Sequence, residues 1–246
     1  MTKKVGSKLF KRQGRMIDIL LNLPEDKLRI IINEILDNAY HLIKDAELLV
    51  ENHESFGHGF GLIALACEEI AKVDIVCLEK QTNVSQESKK DPLLNHFDKQ
   101  ESLAAHTFAA YIPRYLNEYV GAAINESGDD GAFNTYLSNF LEKIETDDLL
   151  RSRLEQRQYF FGRPECDQNG KEIYKKGHLS ELREYSLYVD VIDSNNLITP
   201  KDITRDCATA LKSICEEELY YIDKIYNSSN ITTKYDIKKP TLPLTK

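Results

Sequence analysis

The longest regular feature of the sequence is a helical repeat of apolar residues over 25–51. These residues recur at i, i+3, i+4 and i+7, which gathers them on one face of an α-helix. Pro24 is compatible with the first turn of a helix. Glu25 and Asp26 carry the negative charge that the N-terminal end of a helix dipole favours. The pattern therefore predicts an amphipathic helix over 25–51.

The next segment, about 60–81, is apolar almost all round and predicts a central, buried helix. Proline and cap signals predict three further helices, over 91–112, 133–160 (with a break near Thr146-Asp147) and 199–226. Residues 161–178 look irregular, and we predict a short hairpin that turns at Asn169-Gly170 and a short strand or extended piece at about 185–192. The predicted fold class is all-α, with a small irregular or short-strand insertion near 161–192.

Neither an internal repeat nor a clear linker divides this pattern. We therefore predict a single helical domain over residues 21–226. A basic N-terminal arm, residues 1–20, precedes it. Residues 227–246 are polar, contain two prolines and are predicted to form a loose C-terminal tail.

The arm differs sharply in charge from the rest of the chain. Its first 15 residues contain six lysines and arginines and no acid, and because the whole chain carries −8, the remaining residues carry −14. Such an arm can touch RNA, a ribosome or an acidic partner, with Lys11, Arg12 and Arg15 as candidate binding residues. The alternative is a frayed, solvated terminus. The acidic remainder argues against binding duplex DNA through bulk charge.

The composition is that of a water-soluble globular protein, with 41% hydrophobic and 29% charged residues. No apolar run approaches the roughly 20 residues that a membrane helix needs, so no membrane contact is predicted. Five cysteines without close metal-ligand spacing predict free thiols in a reducing cytoplasm. Because P-loop, dinucleotide and serine-hydrolase motifs are also missing from the sequence, we predict neither a metal nor a cofactor.

Three charged residues, Glu68, Glu69 and Lys72, interrupt the apolar central helix and fall on one side of it. Buried charge without a partner is costly, so these groups must pair or face a cavity. One possibility is that both glutamates pair with Lys72 along a solvated or salt-bridged face. The other is that the stripe lines a cleft and meets basic groups from another helix. The sequence leaves both open.

The next predicted helix contains His96, the best general acid–base candidate in the chain, with Lys99 on the same face and Asn95 adjacent. Imidazole titrates near neutral pH, and a neighbouring cation can stabilise charge that builds on a phosphate. This combination suits RNA cleavage. The alternative is a histidine near the start of a helix that only caps it or hydrogen-bonds locally.

Several short motifs follow one another in a specific order between about residues 35 and 205. The first group is NA at 38–39, DAELL at 45–49, ALACEEIAK at 64–72 and HFDK at 96–99. The second group is LREYSLYVD at 182–190, followed by Pro200. In this order and spacing the motifs resemble the AbiV family of bacterial abortive-infection, phage-defence proteins. Arg183 and Tyr188, within the second group, are candidate binding residues.

The resemblance implies a helical bundle related to the HEPN superfamily, whose members are often dimeric and include many ribonucleases of toxin and antiviral systems. It also implies a homodimer that blocks phage multiplication, with a phage-encoded protein as trigger or target. Active HEPN ribonucleases typically carry an arginine, four to six residues and then a histidine, and no arginine here has that spacing. Lys90 precedes His96 with five residues between them. Lysine supplies charge but not the bidentate fork of arginine.

Two main hypotheses follow. In the first, the protein binds a phage product or part of the translation machinery through a helical surface or the basic arm. In the second, it is a HEPN-like, metal-independent ribonuclease in which His96 moves protons, Glu69 orients His96 or Lys72, and nearby lysines face phosphate. A third possibility is an inactive scaffold whose charged stripe supports a dimer. The candidate catalytic residues are His96, Lys99, Lys72 and Glu69, and the candidate binding residues around them are Lys90, Glu68 and Asn95.

Overall fold

The computed structural model of the chain describes residues 15–82, 91–107, 112–117, 121, 135, 138–140, 142, 146–188, 190–191, 197–226 and 235–238. These residues are mainly helical, which confirms the predicted all-α class. Most of the basic arm, Lys90 and the greater part of the predicted tail lie outside the described residues.

Two long helices form the centre of the fold. A short helix, α1 (Met16–Leu21), leads into α2 (Glu25–Asn52), and α3 (Phe56–Thr82) follows. Helix α2 buries one face at the three- and four-residue spacing that the sequence predicts. Helix α3 is buried on most sides, because apolar side chains cover nearly its whole circumference. Both predicted helices are confirmed.

Shorter helices pack around this pair, and among the described residues they include α4 (His96–His106), α5 (Asp148–Phe161), α6 (Leu179–Leu187) and α7 (Arg205–Tyr226). Helix α4 begins later than predicted, because Asp91 caps only a turn at Leu93 while the Asn95 side chain accepts the Phe97 N–H at 3.1 Å. Helix α5 begins after Asp147, whose carboxylate accepts the next backbone N–H groups, so the predicted break at this point is confirmed.

The insertion near 161–192 contains a β-hairpin, as predicted, and also a helix. Strands β1 (Gly162–Cys166) and β2 (Glu172–Lys176) are antiparallel, and Gly170 adopts φ 75° in the turn between them. The strand predicted over 185–192 is wrong for its first part, since α6 continues to Leu187 and buries Ser186. Tyr188, just beyond α6, has an extended backbone, and β3 (Asp190–Val191) pairs with β4 (Leu197–Ile198).

The core lies where α3 meets α2, α4, α6 and α7, with a 3₁₀ turn (Pro200–Asp202) ahead of α7. None of the described helices is long and apolar enough to cross a membrane. All five cysteines are free thiols.

Part of the segment predicted as a loose tail, residues 235–238, is packed against α2. Tyr235 is buried, its ring lies 5.0 Å from that of Tyr40, and its hydroxyl donates to Asp37 Oδ1 at 2.8 Å. At these four residues the expectation of a loose tail does not hold, because an aromatic ring and its hydroxyl both find partners on α2.

Candidate functional site

The buried carboxylate of Glu68, on α3, gathers three basic side chains around it. Its Oε2 lies 2.7 Å from Lys99 Nζ and 2.7 Å from His96 Nδ1, and its Oε1 accepts from Arg183 Nη1 at 2.8 Å. We call Glu68, His96, Lys99 and Arg183 the His96 centre. Of the two possibilities for the charged stripe, Glu68 follows the second, since it meets basic groups from other helices.

Three helices supply the His96 centre, and local features fix how each approaches. The Asn95 cap makes His96 the first residue of α4, and Lys99 follows one turn later on the same face. Arg183 comes from α6, which can lie close to α3 because Gly61 has no side chain. A Cβ on Gly61 would lie only 2.7 Å from Ser186 Oγ. Residues far apart in sequence therefore converge on one carboxylate.

Solvent access differs strongly within the His96 centre. The side chains of Glu68 and Lys99 are only 7% and 5% exposed, whereas that of His96 is 48% exposed. A buried ammonium needs a counter-charge, and Glu68 supplies it. With neutral imidazole the centre carries one negative and two positive charges. It therefore presents a net positive charge with His96 as its accessible group, an arrangement suited to an anion.

The hydrogen bonds indicate which tautomer His96 adopts. Since Nδ1 lies 2.7 Å from a carboxylate oxygen, it carries the proton and donates to Glu68. In that tautomer Nε2 is the nitrogen without a proton, and Arg183 Nη1 lies 3.1 Å from Nδ1 and 3.3 Å from Nε2. All described contacts of the Arg183 side chain run through Nη1. An imidazole that is held by a carboxylate through one nitrogen can accept a proton at the other. The neighbouring guanidinium supplies positive charge beside it.

The other members of the stripe form a separate pair. Lys72 Nζ lies 2.5 Å from Glu69 Oε1, as the intrahelical possibility predicts. Glu69 thus orients Lys72, and the carboxylate that holds His96 is Glu68. Lys99, expected to face a phosphate, is instead buried against Glu68.

The remaining sequence candidates lie elsewhere. Asn95 caps α4, Tyr188 is exposed just beyond α6, and Arg15 pairs with Asp18 at 2.7 Å at the start of α1. Three candidates fall outside the described residues: Lys11, Arg12 and Lys90. Among the residues that the structure describes, no group of three or more His, Cys, Asp or Glu side chains could hold a metal ion.

A second charged cluster lies at the opposite end of α4, and the sequence patterns do not predict it. His106 Nδ1 lies 2.5 Å from Glu218 Oε2 and 3.8 Å from Asp74 Oδ2, and Arg114 Nη2 lies 2.9 Å from His106 Nε2. We call Asp74, His106, Arg114 and Glu218 the His106 centre. The feature of the sequence that could have indicated this centre is Glu218, a charged residue on the apolar face of α7, seven residues after Leu211.

Further ion pairs continue the His106 centre into the core. The buried guanidinium of Arg157 donates to Glu218 and, through Nη2, to Glu217 Oε2 at 2.7 Å. Glu217 also accepts from the Tyr115 hydroxyl at 2.9 Å. This network joins α5 and α7 through charged groups that are almost completely enclosed. Among the described residues, every one of these groups thus has an oppositely charged or hydrogen-bonding neighbour.

Burial and neighbouring charge shift the pKa values in the His106 centre. Burial raises the pKa of Asp74 to about 6, against the attraction of His106 and with added repulsion from Glu218. Burial alone would lower the pKa of His106, but the charge and hydrogen bond of Glu218 outweigh it and raise that pKa. For Glu218, burial is outweighed by His106 and Arg157, so its pKa is lowered.

The architecture and the site define the class first: a mainly helical protein with a charged His–Arg centre between its helices. Residues 27–217 then match the HEPN family model described as AbiV. The match covers well over half of the chain and contains all four residues of the His96 centre, so the chain belongs to the AbiV family. Membership places it among abortive-infection, phage-defence proteins and confirms the resemblance found in the sequence. Neither a curated protein nor a solved structure matches the chain.

Proposed function

We propose that this protein acts in phage defence by cleaving RNA at the His96 centre. The observation that carries the proposal is the placement of His96, with Nδ1 2.7 Å from Glu68 and Nε2 3.3 Å from Arg183. A carboxylate, an accessible imidazole and a guanidinium together supply the proton transfer and the charge stabilisation that phosphodiester transfer needs.

In the proposed reaction, His96 Nε2 accepts the proton of a ribose 2′-hydroxyl. The 2′-oxygen attacks phosphorus, the bond from phosphorus to the 5′-oxygen breaks, and the imidazolium returns the proton to that leaving oxygen. The products are a 2′,3′-cyclic phosphate and a 5′-hydroxyl end. Glu68 fixes the tautomer and stabilises the imidazolium. Arg183 stabilises the charge on the phosphate oxygens, through guanidinium nitrogens other than Nη1.

The arrangement also bears on the missing arginine–histidine spacing. Arg183 follows His96 by 87 residues, yet its Nη1 lies 3.1 Å from His96 Nδ1 and 3.3 Å from Nε2. Helix α6 thus brings an arginine next to His96. In the usual arginine–histidine motif, the arginine would come from the same helix as the histidine. Lys99 has a different part, since its buried ammonium offsets the charge of Glu68 and does not face a substrate.

The decisive experiment compares purified wild type with His96→Ala on cellular RNA, with and without extract from phage-infected cells. We expect wild type to produce cyclic-phosphate ends and His96→Ala to lose at least about 10²-fold in rate, the scale of acid–base catalysis. His41→Ala is the matched control, because His41 is an exposed histidine on α2. Circular dichroism checks that all three proteins are folded.

Two outcomes would overturn the proposal. Equal cleavage by wild type and His96→Ala would place the reaction elsewhere. If neither protein cleaves RNA under either condition while both still protect cells, the protein acts by binding a phage product or the translation machinery instead.

We further propose that the protein works as a homodimer in the bacterial cytoplasm, as family membership suggests. Five free thiols fit a reducing compartment. Light scattering on the full chain, from low micromolar concentration upward, tests the dimer. A monomer mass throughout that range would contradict it.

A further inference from the structure

The N-terminus of α6, the helix that carries Arg183, is capped by a side chain from another helix. The residue at its own N-cap position, His178, makes no capping hydrogen bond. The backbone nitrogens of Leu179 and Ser180 instead lie 3.1 and 3.0 Å from one end of the Gln100 side-chain amide. The Phe160 carbonyl oxygen lies 3.4 Å from the Gln100 amide, at the outer limit of a hydrogen bond. The two nearer neighbours are both donors, so the end of the amide that faces them is the oxygen.

Gln100 belongs to α4 and is only 2% exposed. It follows Lys99 directly and lies one turn beyond His96. One short stretch of α4 therefore carries the imidazole, the buried ammonium and the acceptor that holds the first turn of α6. Arg183 is one turn further along α6, where its guanidinium reaches Glu68 and His96.

The first N–H groups of a helix have no partner inside the helix. In a buried setting such groups need an acceptor, and losing it costs the full desolvation penalty. If Gln100 loses its oxygen, the first turn of α6 must move to reach water or another acceptor. Arg183 would move with it, because both belong to the same rigid nine-residue helix.

We propose that Gln100 is a positioning residue for the His96 centre: by capping α6 it sets the place of Arg183 beside His96. The cap itself is independent of any reaction, whereas its effect on cleavage rests on the proposed function. Gln100 touches no reacting atom and acts only through α6.

The test compares two substitutions of nearly the same length. Gln100→Met removes the acceptor, whereas Gln100→Glu keeps an oxygen that can accept both N–H groups at the positive end of the helix dipole. Thr107→Val is the matched control, because Thr107 is also a buried polar residue of the α4 segment, and its hydroxyl bonds within that segment, to the Leu103 carbonyl at 3.1 Å.

Three measurements are made on each protein. Amide hydrogen exchange at Leu179 and Ser180, relative to the rest of the chain, reports on the cap. The His96 imidazole resonances report on the position of Arg183. Steady-state cleavage separates kcat from KM. For Gln100→Met we expect exchange at the two amides to become about tenfold faster or more, the His96 resonances to shift and kcat to fall about tenfold. Gln100→Glu should restore all three.

Two results would overturn the proposal. The first is unchanged exchange at Leu179 and Ser180 in Gln100→Met, at the level of Thr107→Val. The second is equal damage in Gln100→Glu and Gln100→Met. Exchange and imidazole spectra are recorded without RNA, so they test the cap and the position of Arg183 even if His96→Ala shows that cleavage does not depend on the His96 centre.

Discussion

The two ends of α4 carry two centres of nearly the same chemistry. Each places an imidazole between a buried glutamate and an arginine: Glu68 and Arg183 around His96, and Glu218 and Arg114 around His106. The side chain of His96 is 48% exposed, whereas that of His106 is 13% exposed. Residue type therefore does not distinguish the two centres, although we propose a reaction at only one of them. Access to solvent does distinguish them.

The neighbours of the two histidines explain the rest of the difference. At the His96 centre one carboxylate meets two permanent cations, which leaves positive charge for an incoming anion. At the His106 centre the carboxylates of Asp74 and Glu218 both lie beside His106, and Arg157 binds Glu218 together with the adjoining Glu217. The shifted pKa values of Asp74, His106 and Glu218 belong to this enclosed centre, where desolvation is strongest.

The largest expected effect on stability comes from removing Arg157, the buried cation that links the His106 centre to the core. Arg157→Met leaves Glu217 and Glu218 without their shared partner, and we expect the free energy of unfolding to fall by roughly 3–5 kcal/mol. Urea denaturation measures it. The comparison variant is Arg183→Met. Its stability should fall less than that of Arg157→Met, because Glu68 keeps Lys99 as a partner, whereas its cleavage rate should fall more. Equal unfolding midpoints for the two variants would erase the distinction between the centres.

The next effect belongs to the open centre. Glu68→Gln keeps the shape of the side chain but cannot offset Lys99 or hold the imidazolium, so we expect kcat to fall roughly 10–100-fold. Glu69→Gln is the control, because the neighbouring carboxylate pairs with Lys72 alone among its described contacts. The kcat of Glu69→Gln should stay within about twofold of the wild-type value. Similar losses in both variants would mean that the stripe acts as a whole.

A smaller effect tests the enclosed centre by pH. The pKa of Asp74 is raised to about 6 in the folded protein, so the fold holds this proton more tightly than the unfolded chain does. Its contribution to stability is therefore greatest below about pH 4 and is lost as pH rises to about 6. The stability of wild type relative to Asp74→Asn should fall by roughly 1–3 kcal/mol from pH 4 to pH 7. Parallel stability curves would show that Asp74 does not titrate in this range.

The smallest effect should come from the pair that belongs to neither centre. Lys72→Met removes a partly exposed intrahelical ion pair, and such pairs contribute about 0.3–0.5 kcal/mol. We expect thermal and urea unfolding to change within that range, with cleavage unaffected. A large loss of cleavage would instead indicate that Lys72 takes part in catalysis, as the ribonuclease hypothesis drawn from the sequence states.

The features that could be predicted from sequence are those governed by local spacing. The 3.6-residue period identifies α2, and a nearly continuous apolar segment identifies α3. A charge on that buried helix identifies Glu68 as needing partners. His96 and Lys99 share a face for the same reason. The predicted start of α4 is wrong because Asp91 and Asn95 are both good caps four residues apart, and only tertiary packing selects between them.

The features that could not be predicted depend on contacts across long stretches of chain. Arg183 lies 115 residues after Glu68, and no local sequence pattern predicts that the two side chains are in contact. Tyr185 and Leu187 alternate with polar residues as a strand would, yet the cap from Gln100 favours helix at this point. The partners of His106 likewise come from other parts of the chain, namely Asp74, Arg114 and Glu218.

The docking of Tyr235 on α2 has a consequence for how the protein is made. The contact between its hydroxyl and Asp37 spans 198 residues, so it joins α2 to a segment that leaves the ribosome long after α2 does. Domains assemble as the chain emerges, N-terminal parts first. Helix α2 therefore cannot make this contact until translation has passed Tyr235. An abortive-infection protein built in this way leaves part of α2 uncovered while its own messenger is still being read.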